Sequence, residues 1–146
     1  MHLIVGYDAH PASLAALDFA AWIGRKIGAT IHVVHVVDSD DLPVDPDSLD
    51  YNDELSRHLA THRAVVSGAL GDYGAWDYAA HSGLPASVLI NIAHQQSPAM
   101  IVVGRPQHGV NAMLEHALAG SVSRNLLHHA QCPVMIVPAD TDHQIQ

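Results

Sequence analysis

Apolar residues fall along this chain in short continuous runs separated by longer stretches of helical spacing. His2–Tyr7 (HLIVGY) is one such run. Ile31–Val37 (IHVVHVV) is a second, β-branched and unbroken, the pattern of a strand buried on both faces. Ala75–His81 adds aromatic residues in rough alternation, and Ala99–Val103 and Val134–Val137 supply a fourth and a fifth strand. Between them, Pro11–Ile27 carries Leu14, Leu17, Ala21 and Gly24 at helical spacing, with Pro11 suited to a first helical position and Gly28 to a stop. Glu54–Leu70, Ala86–His94 and Ser121–Ala130 repeat the pattern more weakly. Asp38–Asp53, acidic and without period, is expected to be a surface loop placed to cover a site at the strand ends.

Strands alternating with helices predict the α/β class: right-handed crossovers and an open parallel sheet with helices on both faces. In such sheets ligands bind beyond the carboxyl ends of the strands, where strand order reverses. A chain of 146 residues suits one domain, expected over residues 1–138, with residues 139–146 as a polar tail.

Composition narrows the partners. With six Lys and Arg against 15 Asp and Glu, the formal charge of −9 leaves no basic stripe for a nucleic acid. No apolar run reaches the length of a membrane span, and no signal pattern opens the chain, so a soluble cytoplasmic protein is expected, bound to no membrane. Thirteen histidines outnumber the formal charge, so solubility and self-association should respond to mildly acid solution. The single cysteine, Cys132, has no partner for an internal disulfide and reads as a small apolar filler.

The candidate chemistry lies at three expected strand ends: Gly6-Tyr7-Asp8, Val36-Val37-Asp38, and the segment from Gly104 to Ser123. Gly120, Ser121 and Ser123, at a helix start, offer unblocked amides and hydroxyls to an anionic phosphate, and Asp8 offers a carboxylate to a sugar or base. The alternatives are plain structural roles: Gly104 and Gly109 permitting a turn, Ser121 and Asp8 capping helices. His58 and His62, four apart on a helix, have the spacing of a metal clip without an evident third ligand, and a solvated face is the default. No metal site and no catalytic residue is therefore assigned. Gly-x-Ser-x-Gly and a Walker lysine loop are absent, and the first strand leads into Gly6-Tyr7-Asp8-Ala9-His10 where a dinucleotide enzyme would carry Gly-x-Gly-x-x-Gly.

The segments "IVGYD" (4–8), "HVVD" (35–38), "VVGRPQHG" (102–109) and "AGSVSRNLLHHAQCPVMIVP" (119–138) together resemble the universal stress protein family over the whole chain. The resemblance implies a five-stranded flavodoxin-like (Rossmann-like) sheet of order 3-2-1-4-5 and a homodimer paired through the last strand. It also implies a stress-response regulatory module that binds an adenine nucleotide (ATP, AMP or cyclic AMP), with Mg2+ accompanying ATP, and that acts on a regulatory protein partner. In that reading Asp8 contacts the ribose or base, Val36 the adenine, and Arg105 or His108 a phosphate. Tyr7, Val103, Gly104, Gly109, Gly120, Ser121, Val122 and Ser123 complete the site.

ATP-binding members carry Gly, two residues, Gly, nine residues, then Gly-Ser or Gly-Thr. Here the second glycine position holds Gln107, twelve residues separate it from Gly120, and the addition falls near Glu115 to Ala117. Pro106 also removes an amide donor. These departures point to a weaker grip on a triphosphate, and leave as alternatives a member that binds no nucleotide and works through protein contacts, or a weak ATPase.

Overall fold

The computed structural model describes residues 1–37, 45–105 and 122–140. Its strands are β1 (His2–Tyr7), β2 (Thr30–Val37), β3 (Trp76–Ser82), β4 (Met100–Gly104) and β5 (Val134–Val137). All pair in parallel, in the order β3-β2-β1-β4-β5. The reversal of direction after β3 places the switch point between β1 and β4, the two strands that the expected site flanks.

Helices α1 (Pro11–Ile27), α2 (Tyr51–Leu70) and α3 (Pro85–Gln96) connect the strands, and residues 122–129 form α4 before β5. Helix α1 starts on Pro11, whose fixed φ suits the first turn, and ends at Gly28, left-handed at φ 65° with its N–H donating to the Gly24 carbonyl. Arg25 and Lys26 occupy its last turn, where the helix dipole favours cations.

The alternation of strand side chains divides the core in two. Leu3, Val5, Ile31 and Val33 point to the α1–α2 face with Leu17 of α1 and Val66 of α2. Ile4, Val34, Ile101 and Val103 point to the other, against Leu89 of α3 and Leu126 of α4. Burying each such side chain is worth about 1.5–3 kcal/mol, which is why the strand runs read as unbroken apolar sequence.

Most boundaries shift by one or two residues, and the largest shift is at the start of α2. Helix α2 begins at Tyr51, inside the segment read as a loop, because Asp53 and Glu54 in its first turn are favoured by the helix dipole despite breaking the apolar period. Residues 45–50 lead in by turns, with Asp47 N donating to the Asp45 carboxylate and Asp50 N to the Ser48 hydroxyl. The covering role expected of the rest of that loop falls on residues 38–44, outside the described residues. Among the described residues no helix is long and apolar enough to cross a membrane.

Candidate functional site

The turn from β1 into α1 is tied to itself through Asp8. Its Oδ1 accepts a hydrogen bond from the Ser13 hydroxyl at 2.5 Å and from the His10 N–H at 3.1 Å, while the Ser13 Oγ accepts from the Asp8 N–H at 3.1 Å. Ser13 is buried, so its hydroxyl is fixed on the carboxylate. Asp8 therefore does not cap α1 in the usual way; the N-cap position is His10, which makes no side-chain cap bond. The carboxylate instead holds an Asx-type turn whose next residue, Ala9, sits at φ 67°, a left-handed conformation costing a residue with a Cβ about 1–2 kcal/mol. Asp8 itself stays exposed.

Gly104 ends β4 against the same first turn of α1. A Cβ built on it would lie 2.4 Å from both the carbonyl carbon and the oxygen of Ala12. The residue is glycine because the Ala12 backbone occupies the side-chain position; its φ is not in the left-handed region, so the turn-permitting role does not apply. Asp8 and Gly104 thus rest on adjacent residues, Ser13 and Ala12, at the ends of the two central strands.

Three further candidates come together on the opposite face. Val36 and Val122, half-buried, pack in one apolar cluster with buried Val103. Ser123 is half-buried within α4, and Arg105 is exposed, its N–H donating to the Val137 carbonyl at 2.7 Å. Gly109, Gly120 and Ser121 lie outside the described residues, as do Pro106, Gln107, His108 and the added segment near Glu115 to Ala117.

Tyr7 faces the other way. Its ring is buried under α2, and its hydroxyl hydrogen-bonds the His62 Nδ1 at 2.8 Å, so its side chain is engaged away from the cluster of Val36, Val103 and Val122. Directly opposite it in the β1–β2 register is His35, buried, with its Nδ1 2.5 Å from the Tyr78 hydroxyl. The rings of His58 and His62 lie 4.4 Å apart and those of His35 and His62 5.1 Å apart.

Burial, with the nearby His62 and His58, pushes His35 down to about 4, against a smaller opposing pull from Asp8. Burial pushes Tyr78 up to about 12, and burial with the Asp8 charge raises Tyr7. All three groups are held neutral near pH 7.

This cluster corrects the solvated face expected for His58 and His62, which are half-buried and turned toward the sheet. The signal available in sequence was parity: His35 shares the inward face of Ile31 and Val33, and its burial demanded polar partners. Among the described residues no three His, Cys, Asp or Glu side chains are placed to hold a metal ion. His32, on the opposite face, bonds Asp77 at 2.6 Å and His2 at 3.0 Å. Burial raises the half-buried Cys132 thiol, as suits an apolar filler and not a nucleophile.

Comparison with known proteins agrees with this geometry. The model of the universal stress protein family matches residues 1–138. A universal stress protein of Methanocaldococcus jannaschii is 25% identical over 142 residues, covering 92% of this chain and 80% of that protein. The crystal structure of a universal stress protein in complex with cAMP superposes with a TM-score of 0.67 at 21% identity, covering 96% of this chain and 98% of the other. A universal stress protein from Archaeoglobus fulgidus in complex with dAMP gives a TM-score of 0.58 at 22% identity, covering 94% and 97%. The chain, from its β3-β2-β1-β4-β5 sheet to its sequence over residues 1–138, belongs to the universal stress protein family.

Proposed function

We propose that this chain is an adenine-nucleotide-binding regulatory module that favours AMP or cyclic AMP over ATP and works in the cytoplasm as a homodimer with a regulatory protein partner. The observation that carries the reading is the joint anchoring of Asp8 and Gly104 on Ser13 and Ala12 of α1, at the switch point between β1 and β4. A carboxylate already oriented by a buried hydroxyl loses little freedom when it accepts hydrogen bonds from a ribose or an adenine amine. The half-buried Val36, near the end of β2, and Val122, at the start of α4, packed with Val103, supply apolar surface for the base. That relatives of this fold are bound to cAMP and dAMP supports an adenine ligand.

The preference for one phosphate follows from the loop chemistry. Gln107 puts a side chain, and Pro106 a missing N–H, where a longer phosphate chain needs open amides, and the added residues near Glu115 bring a carboxylate. With ATP, Mg2+ would be required to offset the charge; no group in the site is assigned to catalysis, and hydrolysis is expected to be slow or nil. For the dimer, β5 is an edge strand pairing only β4 among the described residues, with Met135 exposed.

Replacing Gln107 with glycine and removing Glu115 to Ala117 is expected to tighten ATP about tenfold, equivalent to about 1.4 kcal/mol, while AMP changes less than about twofold. Competition against a fluorescent adenine nucleotide measures both. Unchanged ATP affinity would contradict the account of the loop.

A further inference from the structure

Helix α2 is held to the sheet unevenly. Of its 20 residues only Val66 and Leu70, toward its carboxyl end, are buried. Its amino-terminal turns meet the sheet through the half-buried His58 and His62. Beneath them lie Tyr7 of β1, His35 of β2 and Tyr78 of β3, so that three imidazoles and two phenols form the contact. The ring of His58 is 4.4 Å from His62 and 6.1 Å from His35.

The phenols can hydrogen-bond an imidazole in either charge state but bring no negative charge of their own. The charged groups around the cluster come from each packed element. Helix α2 carries Arg63, whose guanidinium lies 5.8 Å over the Trp76 ring of β3, and Glu54, which pairs with Arg57 at 2.6 Å. The end of β1 carries Asp8, and α1 carries the half-buried Asp18. Asp8 favours a charged His35, and its pull is smaller than the opposing effects of burial and of the two neighbouring imidazoles.

We propose that protonation of His35, beneath the rings of His58 and His62, releases the amino-terminal turns of α2 from the sheet, making residues 51–62 a flap that opens in mildly acid solution. A charge on the buried His35 is opposed by its burial and by the neighbouring rings of His62 and His58, and opening the helix returns it to solvent. A group that takes its proton more readily when exposed draws the equilibrium toward the open form as pH falls. The anchor at Val66 and Leu70 keeps the carboxyl end of the helix in place, so the opening is local. The flap requires no nucleotide and holds whether or not the chain binds one. Its effect reaches the turn carrying Asp8 through Tyr7, which bonds His62 and precedes Asp8.

Hydrogen–deuterium exchange on the full-length protein tests this at pH 7.5 and 5.0, after correction for the intrinsic pH dependence of exchange. Amides of residues 51–62 are expected to exchange at least about tenfold faster at pH 5.0, while α1 and β4 keep their protection within about twofold. Substituting His35→Gln, His58→Gln and His62→Gln together should abolish the difference. Where that variant fails to fold, His35→Gln alone, which keeps a hydrogen-bonding group toward Tyr78, should reduce the response at least threefold. The proposal is overturned by equal protection of residues 51–62 at both pH values, by a loss shared equally with α1 and β4, or by a substituted protein that keeps the full response.

Discussion

Gly104→Ala is expected to lower stability by about 3 kcal/mol, roughly 10 °C in Tm, because the new methyl group would sit 2.4 Å from the Ala12 carbonyl carbon and oxygen. Side chains can rotate away from an intruding methyl group, but here the obstacle is backbone in the first turn of α1, the turn that also carries Ser13. Relief requires β4 and α1 to separate, which loosens Val102 and Val5 on the α1 face of the sheet. Gly68→Ala is the matched control. A Cβ there meets nothing within 4 Å, and Gly68 lies inside α2, so alanine should stabilise by about 0.5–1 kcal/mol. Urea unfolding of the two variants checks both signs, and a Gly104→Ala loss below about 1 kcal/mol would refute the close approach.

The pH dependence of stability is the second large effect. His35 has its folded value lowered to about 4 against an ordinary 6.5, so the unfolded chain takes up this proton first as pH falls. Above about pH 6.5 both states are neutral at this residue and no penalty applies. Between pH 6.5 and about 4 the folded state loses ground progressively, by about 2 kcal/mol at pH 5 and about 3 kcal/mol in full. Unfolding midpoints at pH 7.5 and 5.0 should therefore show wild type losing about 2 kcal/mol more than His35→Gln. Glutamine keeps hydrogen-bonding capacity toward Tyr78 and removes the titration, so the slopes and not the absolute stabilities carry the comparison. Parallel slopes would place the acid response elsewhere among the thirteen histidines.

Much of the fold was legible because local signals and tertiary demands coincide. Strands β1 and β2 are nearly continuous apolar runs, as strands covered on both faces must be, and Pro11 opens α1 while Gly28 caps its end. The start of α2 was not legible. Tyr51-Asn52-Asp53 is polar, and its helical state depends on dipole and turn chemistry that leaves no apolar period.

The positions of the candidate site residues in the fold were more legible than their contacts. Asp8, Gly104, Val36 and Val103 lie at or next to strand ends that the pattern indicated, and Val122 opens α4, but the reason for Gly104 is Ala12, distant in sequence, which no local signal records. Likewise a carboxylate ahead of a helix suggests a cap. Only the fold shows Asp8 bound to the Ser13 side chain, with Ala9 left-handed between strand and helix. The inward turn of His58 and His62 was hidden for the same reason, since a polar residue on a weakly amphipathic helix reads as solvated until its partner strand is known.

Calorimetric titration of nucleotide-free protein with AMP, cyclic AMP and ATP, with and without Mg2+, decides whether an adenine nucleotide binds at the carboxyl ends of β1 and β4. Micromolar binding of AMP or cyclic AMP, with ATP weaker and improved by Mg2+, is the expected result. Absence of heat with all three, together with no nucleotide carried through purification, would contradict it and leave a universal stress protein that works through protein contacts alone.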